Sequence, residues 1–296
     1  MNYISVAETA KRWNMSERTI RNYCAQGKIP GAFLTGKTWN IPESAAKPDR
    51  INARSAAPKT LLDILKSEQA AKTSGGIYHK LQIELTYNSN HIEGSRLTHD
   101  QTRYIFETNT IGATDGTMNV DDIVETANHF KCIDMIITQA KYQLSEKFIK
   151  ELHQTLKSGT SDSRLDWFAV GDYKRMPNEV GGRETTPPEQ VADEIKKLLA
   201  EYNAVKEKTL EEIIDFHVRF ESIHPFQDGN GRVGRLIMFK ECLRCGIVPF
   251  IIDDDMKLFY YRGLHEWSGE KGYLTDTCLA AQDKFKKYLD YFRIGY

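Results

Sequence analysis

The twelve residues His224-Pro225-Phe226-Gln227-Asp228-Gly229-Asn230-Gly231-Arg232-Val233-Gly234-Arg235 constrain the fold most, because they force a break between two helical patterns. Ahead of them, Leu210, Ile213, Ile214, Phe216, Val218, Phe220 and Ile223 recur at helical spacing. Pro225 drives His224 out of the α region and ends that helix. From about Gly231, Val233, Leu236, Ile237, Phe239 and Leu243 restore a helical pattern. Gly229, Asn230 and Gly231 accept or tolerate positive φ, so successive N–H groups can converge on an anion. The loop feeds a helix N-terminus, whose unpaired N–H groups and partial positive charge attract phosphate.

Arg232 and Arg235 are three apart and share a face of that helix's first turn. Cations there oppose the helix dipole unless an anion occupies the space, and the guanidinium fork matches phosphate oxygens. Asp228 supplies the single carboxylate that a magnesium ion shared with substrate phosphates usually takes from protein. His224, with an ordinary pKa of roughly 6.5, can accept a hydroxyl proton near neutral pH. Taken singly, a Gly-Asn-Gly tripeptide, an adjacent Asp or a His before Pro is turn chemistry. Together, between two amphipathic helices, they read as a nucleotide-phosphate site.

This stretch resembles the signature of the Fic family, His-Pro-Phe-x-(Asp/Glu)-Gly-Asn-Gly-Arg-x-x-Arg, at every specified position. The resemblance implies a protein adenylyltransferase moving AMP from ATP onto a Ser, Thr or Tyr hydroxyl of a target protein, with Mg2+. It gives His224 the role of base and Asp228 that of metal ligand. Gly229, Asn230, Gly231 and Arg232 would hold the phosphates, with Arg235 at the γ-phosphate. Related scaffolds also phosphorylate, transfer other groups or remove AMP. A nucleotide-sensing domain in a DNA-binding regulator is a further alternative, although a sensor needs no base.

Upstream, Ser89-Asn90-His91-Ile92-Glu93-Gly94 closes a helix predicted from about Tyr78 to Glu93, with Ser89 and Glu93 on one face. On spacing alone this is a solvated helix end. It is also similar to the family's inhibitory motif, in which Glu93 would pair with Arg235 and so displace the γ-phosphate. Gly171 to Pro188, with Gly181-Gly182 and Pro187-Pro188, reads as a hairpin or long ordered loop. The resemblance makes it a flap that aligns the target, with Glu184 and Thr185 near the nucleotide. Tyr260 and Tyr261 open a helix after Asp253-Asp254-Asp255. They are either core rings or, by the same resemblance, the border of an adenine or ribose pocket. Ser268 stands where relatives often carry Asn.

Residues 1–48 form a separate unit. Val6, Ala7, Ala10 and Trp13 give one short helix; Thr19, Ile20 and Tyr23 give a second, capped by Ser16 and ended by Gly27. Ala32 to Pro42 reads as a hairpin. The pattern resembles an excisionase or MerR-like winged helix-turn-helix, with Arg18 and Arg21 on the groove-facing helix and Lys37 at the wing tip. Residues 1–50 hold 8 Lys and Arg against 4 Asp and Glu, a net of +4 in a chain of net −1. That balance suits DNA contact, while protein docking serves such a module equally.

In a chain of 296 residues, this leaves 49–58 as a linker, centred on Ser55-Ala56-Ala57-Pro58. Residues 59–296 form a mainly α catalytic domain of about nine helical patterns and one hairpin flap. Amphipathic patterns in 111–145 and from Asp283 to Tyr296 suit core packing or a homodimer interface equally. No signal-peptide pattern and no apolar run of roughly 20 residues occurs, so a cytoplasmic protein without membrane contact is expected. Five irregularly spaced cysteines make no disulfide framework, and Cys242-x-x-Cys245 lies inside a predicted helix without a second pair.

Overall fold

The computed structural model describes residues 2–48, 60–112 and 116–296, and the chain divides into two compact units, Met1–Pro58 and Lys59–Tyr296. The proposed linker at 49–58 lies outside the described residues.

In the first unit a short strand β1 (Tyr3–Ile4) precedes α1 (Val6–Trp13) and α2 (Glu17–Ala25). Both helices start where the side chain can take up a free backbone N–H. Ser5 and Glu8 make a reciprocal capping box on α1, and Ser16 accepts from Thr19 on α2. β2 (Phe33–Thr35) and β3 (Thr38–Pro42) follow, joined across Gly36 and Lys37. β1 pairs with β3 to give the order β1-β3-β2, a third strand that the hairpin pattern did not reveal. Val6, Ala10, Trp13, Ile20, Cys24, Ile29 and Ile41 form this unit's core.

The second unit has ten α-helices among its described residues. α3 (Leu61–Ala71), α4 (Ile77–Ile92), α5 (His99–Thr108), α6 (Val120–Thr138) and α7 (Glu146–Lys157) precede the hairpin. The hairpin itself is β4 (Glu179–Val180) and β5 (Arg183–Glu184). Its two-residue turn needs positive φ at both positions, which Gly181 (58°) and Gly182 (76°) supply. α8 (Pro188–Ala204), α9 (Leu210–Ile223), α10 (Asn230–Cys245), α11 (Lys257–Glu266) and α12 (Gly272–Tyr291) complete the chain. α11 thus begins three residues ahead of the Tyr pair, where Asp253 caps a preceding turn of 3-10 helix.

α10 is the axis of the unit. Its buried positions run round the whole helix, from Asn230 to Leu243, and it packs against α9, α6, α4 and α7. A helix enclosed on all sides is normally apolar throughout. Here Arg232, Arg235, Lys240 and Glu241 are also buried, so each needs a polar partner: Arg232 and Arg235 find theirs on α6 and α4, and Lys240 and Glu241 pair with each other, with the Tyr142 carbonyl and with Tyr202 on α8. Cys242 packs inside the same helix, and all five cysteines are free thiols. Among the described residues, no helix is long and apolar enough to cross a membrane.

Candidate active site

The motif forms the α9–α10 junction. His224 ends α9 in the left-handed region (φ 50°, ψ 62°), and Gly229 opens α10 with φ 80°. Asn230 and Gly231 are already helical, so only the first of the three candidate residues takes positive φ. The Asn230 side chain closes the loop on itself. Its Nδ2 donates to the Phe226 carbonyl at 2.8 Å while its Oδ1 accepts from the Phe226 N–H at 2.8 Å. That leaves the backbone, not the amide, of Asn230 for an anion.

The His224 imidazole is mostly buried, and its Nδ1 lies 3.2 Å from the Glu221 carbonyl. A carbonyl can only accept, so Nδ1 carries the proton and Nε2 keeps its lone pair. Burial pushes the His224 pKa down to about 4, against the raising pull of that carbonyl and of the Glu93 and Asp228 charges. The ring is therefore a neutral base across the physiological range.

Asp228 leaves half of its side chain exposed. Burial would raise its pKa, but Arg232 and Lys157 hold the carboxyl well below the usual range. Arg232 donates to it from Nη2 at 3.1 Å and pairs through Nη1 with Glu125 on α6. Lys157, at the end of α7, reaches both Glu125 (2.5 Å) and Asp228 (2.6 Å). His153, one turn earlier, stacks on Phe226 at 3.9 Å between ring centroids and 3° between planes. Its Nδ1 accepts from the Gly171 N–H at 3.0 Å, so the Nε2–H faces the Asp228 carbonyl at 3.2 Å.

Arg235 turns to α4. Its Nε donates to Ser89 Oγ at 3.1 Å, and its Nη2 to the Ser89 carbonyl at 2.9 Å and to Glu93 Oε1 at 2.6 Å. The Glu93 carboxylate lies over the first turn of α10: a Cβ placed on Gly231 would collide with Glu93 Oε1. An acid thus occupies the anion-attracting end of α10, with room made by a glycine. Below this pair, the Tyr260 ring lies 5.8 Å from the Arg235 guanidinium, and its hydroxyl is 2.6 Å from His217 Nε2. Glu221 is also enclosed here, its pKa raised to about 8 by burial first and by Glu93 second.

Among the described residues, no group of three or more His, Cys, Asp or Glu side chains is arranged to hold a metal by itself. Asp228 alone, half exposed beside the helix N-terminus, suits a magnesium ion whose other ligands are phosphates and water.

Residues 143–242 match the model of the Fic/DOC family. The chain also superposes on the Fic domain-containing signaling protein of Bacteroides thetaiotaomicron, with a TM-score of 0.59 and 28% identity over 78% of this chain and 90% of that one. The helical unit has the Fic fold. Fic-1 of C. elegans gives a TM-score of 0.61 over 78% of this chain and 72% of its own, at 18% identity. Among curated proteins, the protein adenylyltransferase Fic of Drosophila melanogaster is 32% identical over 184 residues, which is 60% of this chain and 36% of that protein. Its counterpart in Drosophila grimshawi is 30% identical over the same length. The chain spans about a third of the length of these curated relatives, 36% in each case.

Within the Fic fold, the sequence-derived candidates separate into groups. His224, Asp228, Gly229, Gly231, Arg232, Arg235, Ser89 and Glu93 converge. Glu93 is close enough to pull on the charges of both arginines and of His224. The two tyrosines divide: Tyr260 is core, whereas Tyr261 is part-exposed and donates its hydroxyl to the Ile92 carbonyl at 3.3 Å, bracing the end of α4. Ser268 is exposed in the turn after α11 and hydrogen-bonds none of the motif residues. In the hairpin, Glu184 is exposed and pairs in register with Glu179. Thr185 accepts from Lys174 Nζ at 2.5 Å, and Lys174 also donates to Asn178 at 2.7 Å and approaches the Ile223 carbonyl at 3.4 Å. Asn178 Nδ2 donates to the Phe226 carbonyl at 3.0 Å, so the hairpin's base is pinned to the motif loop.

Lys157, Glu125, His153, Lys174 and Glu221 escaped the sequence reading. One signal was present: Ile149, His153 and Lys157 follow at spacings of four, which carries the buried face of α7 into polar residues.

Proposed function

We propose that the chain is a protein adenylyltransferase held inactive by its own Glu93. The observation that carries this is the Glu93–Arg235 pair lying across the N-terminal turn of α10, where a triphosphate would otherwise dock. With Glu93 withdrawn, the N–H groups of Gly229 to Gly231, Arg232 and Arg235 present one cationic surface to the phosphates. His224 Nε2 takes the proton from the target's hydroxyl. The hydroxyl oxygen attacks the α-phosphorus, the bond to the β-phosphate oxygen breaks, and pyrophosphate leaves. Magnesium, held by Asp228 and the phosphates, would offset the charge that builds on the leaving group. The work of this chain's residues is positioning and charge stabilisation, with His224 the only proton acceptor required.

The exposed edge of β4–β5 supports target binding by main-chain pairing, with Glu184 and Thr185 at its end. This chemistry draws on ATP and magnesium, which fits a cytoplasmic setting. Incubating Glu93→Gly with α-labelled and with γ-labelled ATP tests the reading. Label retained on protein from the α position supports AMP transfer; label from the γ position alone makes the chain a kinase and overturns it.

For residues 1–48 we favour DNA contact. Arg18, Arg21 and Lys37 are all exposed, although Arg21 is paired with Glu17 at 2.7 Å, which weakens its share. Binding to duplex DNA that falls steeply with salt supports this, and binding indifferent to salt turns the unit into a protein-docking module.

A further inference from the structure

The ammonium of Lys157 is almost fully buried, at 3% side-chain exposure, directly behind the proposed metal ligand. It contacts Glu125 Oε1 at 2.5 Å, Asp228 Oδ2 at 2.6 Å and Asp162 Oδ2 at 3.3 Å. An ammonium has three N–H donors, and all three are spent on carboxylates. Arg232 joins the same set through Asp228 Oδ2 and Glu125. Two fixed cations therefore face three carboxylates, and the Asp228 oxygen that would be the strongest attractor of a divalent ion already serves both. Both contacts fall on Oδ2, and half of the Asp228 side chain remains exposed.

We propose that Lys157 is a resident counter-cation that denies the site to a bare divalent ion, so that the metal enters only together with the nucleotide's phosphates. The inference rests on the reading of Asp228 as a metal ligand and adds the order of binding. A hydrated divalent cation approaching Asp228 alone must compete with two fixed cations for a carboxylate whose Oδ2 they already share. A metal–triphosphate complex brings phosphate ligands of its own, which dock on the N-terminus of α10 and Arg235, so the metal needs from Asp228 only what the two cations leave. Lys157 thus acts through Asp228 and Arg232 as a positioning residue and touches no reacting atom.

The test is Mn2+ binding by calorimetry without nucleotide. Wild-type protein should bind Mn2+ weakly. Lys157→Met, which leaves three carboxylates without their ammonium, should bind it at least ten-fold more tightly, and Lys157→Met/Asp228→Asn should lose that gain. Lys157→Arg keeps the charge and should stay weak. Lys157→Gln keeps a hydrogen-bond donor in the cage and should also tighten binding, serving if the methionine variant does not fold. Equal Mn2+ affinity in wild type and in the folded neutral variants overturns the proposal, as does tight binding of bare Mn2+ by wild type. Failure of the underlying reading looks different. Asp228→Asn would then leave Mn2+ affinity unchanged in the presence of a non-hydrolysable ATP analogue.

Discussion

Replacing Glu93 should turn the protein on, and the size of the effect follows from its contacts. The carboxylate makes one short charge-assisted bond to Arg235, at 2.6 Å, with the arginine side chain 5% exposed and the acid 29% exposed. Such a bond contributes about 1.5–3 kcal/mol, and the exposure of Glu93 argues for the lower half of that range. A γ-phosphate competing for the same guanidinium must displace it, and removing the competitor returns that free energy to nucleotide binding. At about 1.4 kcal/mol per factor of ten, Glu93→Gly should raise the kcat/KM of AMP transfer by about ten-fold or more. Relief of charge repulsion toward the triphosphate adds to this. The stability cost is of the same order, about 1.5–3 kcal/mol, because Arg235 is buried and keeps only its two bonds to Ser89 once its carboxylate is gone. The assay is initial-rate incorporation of α-labelled ATP into protein, with Glu93→Gln as the near-isosteric control. Equal rates for wild type and both variants would refute the competition argument.

Four further outcomes follow. His224→Ala in the Glu93→Gly background should abolish transfer while leaving ATP binding intact; residual transfer above background would remove His224 as the base. Burial holds the His224 pKa near 4 and Glu93 pulls it upward, so loss of Glu93 lowers it further. The rate of Glu93→Gly should therefore hold from pH 7 down to about 5, and an acid limb centred near roughly 6.5 would contradict this. Gly234→Ala places a Cβ 2.6 Å from His217 Nδ1 and 2.8 Å from Glu221 Oε1, both enclosed, and should destabilise the helical unit by about 1–3 kcal/mol in urea unfolding; unchanged stability would show that α10 can shift. Burial also holds His129, His153 and His217 neutral, with pKa values near 3, whereas the unfolded chain protonates them below about 6.5. Stability should thus fall between pH 6.5 and 3, by up to about 1.4 kcal/mol per pH unit for each histidine. Glu221 works in the opposite direction, since its raised pKa stabilises the fold at low pH and is lost above about 8, but it is one group against three. A urea midpoint that is level or higher at pH 5 than at pH 7 would contradict the assignment.

The helices were legible because their apolar spacing and caps agree. Ser16 marks a start that the structure keeps, accepting from the Thr19 N–H ahead of the Ile20 and Tyr23 face. The motif was legible because each residue type there has a local reason to be present. What escaped were residues whose role exists only across helices. Glu125 is one more acid along α6, and Lys157 is an unremarkable basic residue in the last turn of α7. Nothing within either helix says that they meet at Asp228. Likewise, Asn230 was read as part of a phosphate cradle, and only the folded loop reveals that its amide is used up on Phe226. The Tyr pair shows the same limit: neighbouring positions on a helix differ by about 100° in direction, so Tyr260 is buried beneath Arg235 while the adjacent ring of Tyr261 reaches the surface and braces α4.

The most direct measurement is a crystal structure of Glu93→Gly with magnesium and a non-hydrolysable ATP analogue. The account predicts the triphosphate on the first turn of α10, its γ-phosphate on Arg235, magnesium on Asp228 and the α-phosphorus facing His224 Nε2. A nucleotide bound elsewhere, or one bound here with its γ-phosphate turned toward His224, would contradict it.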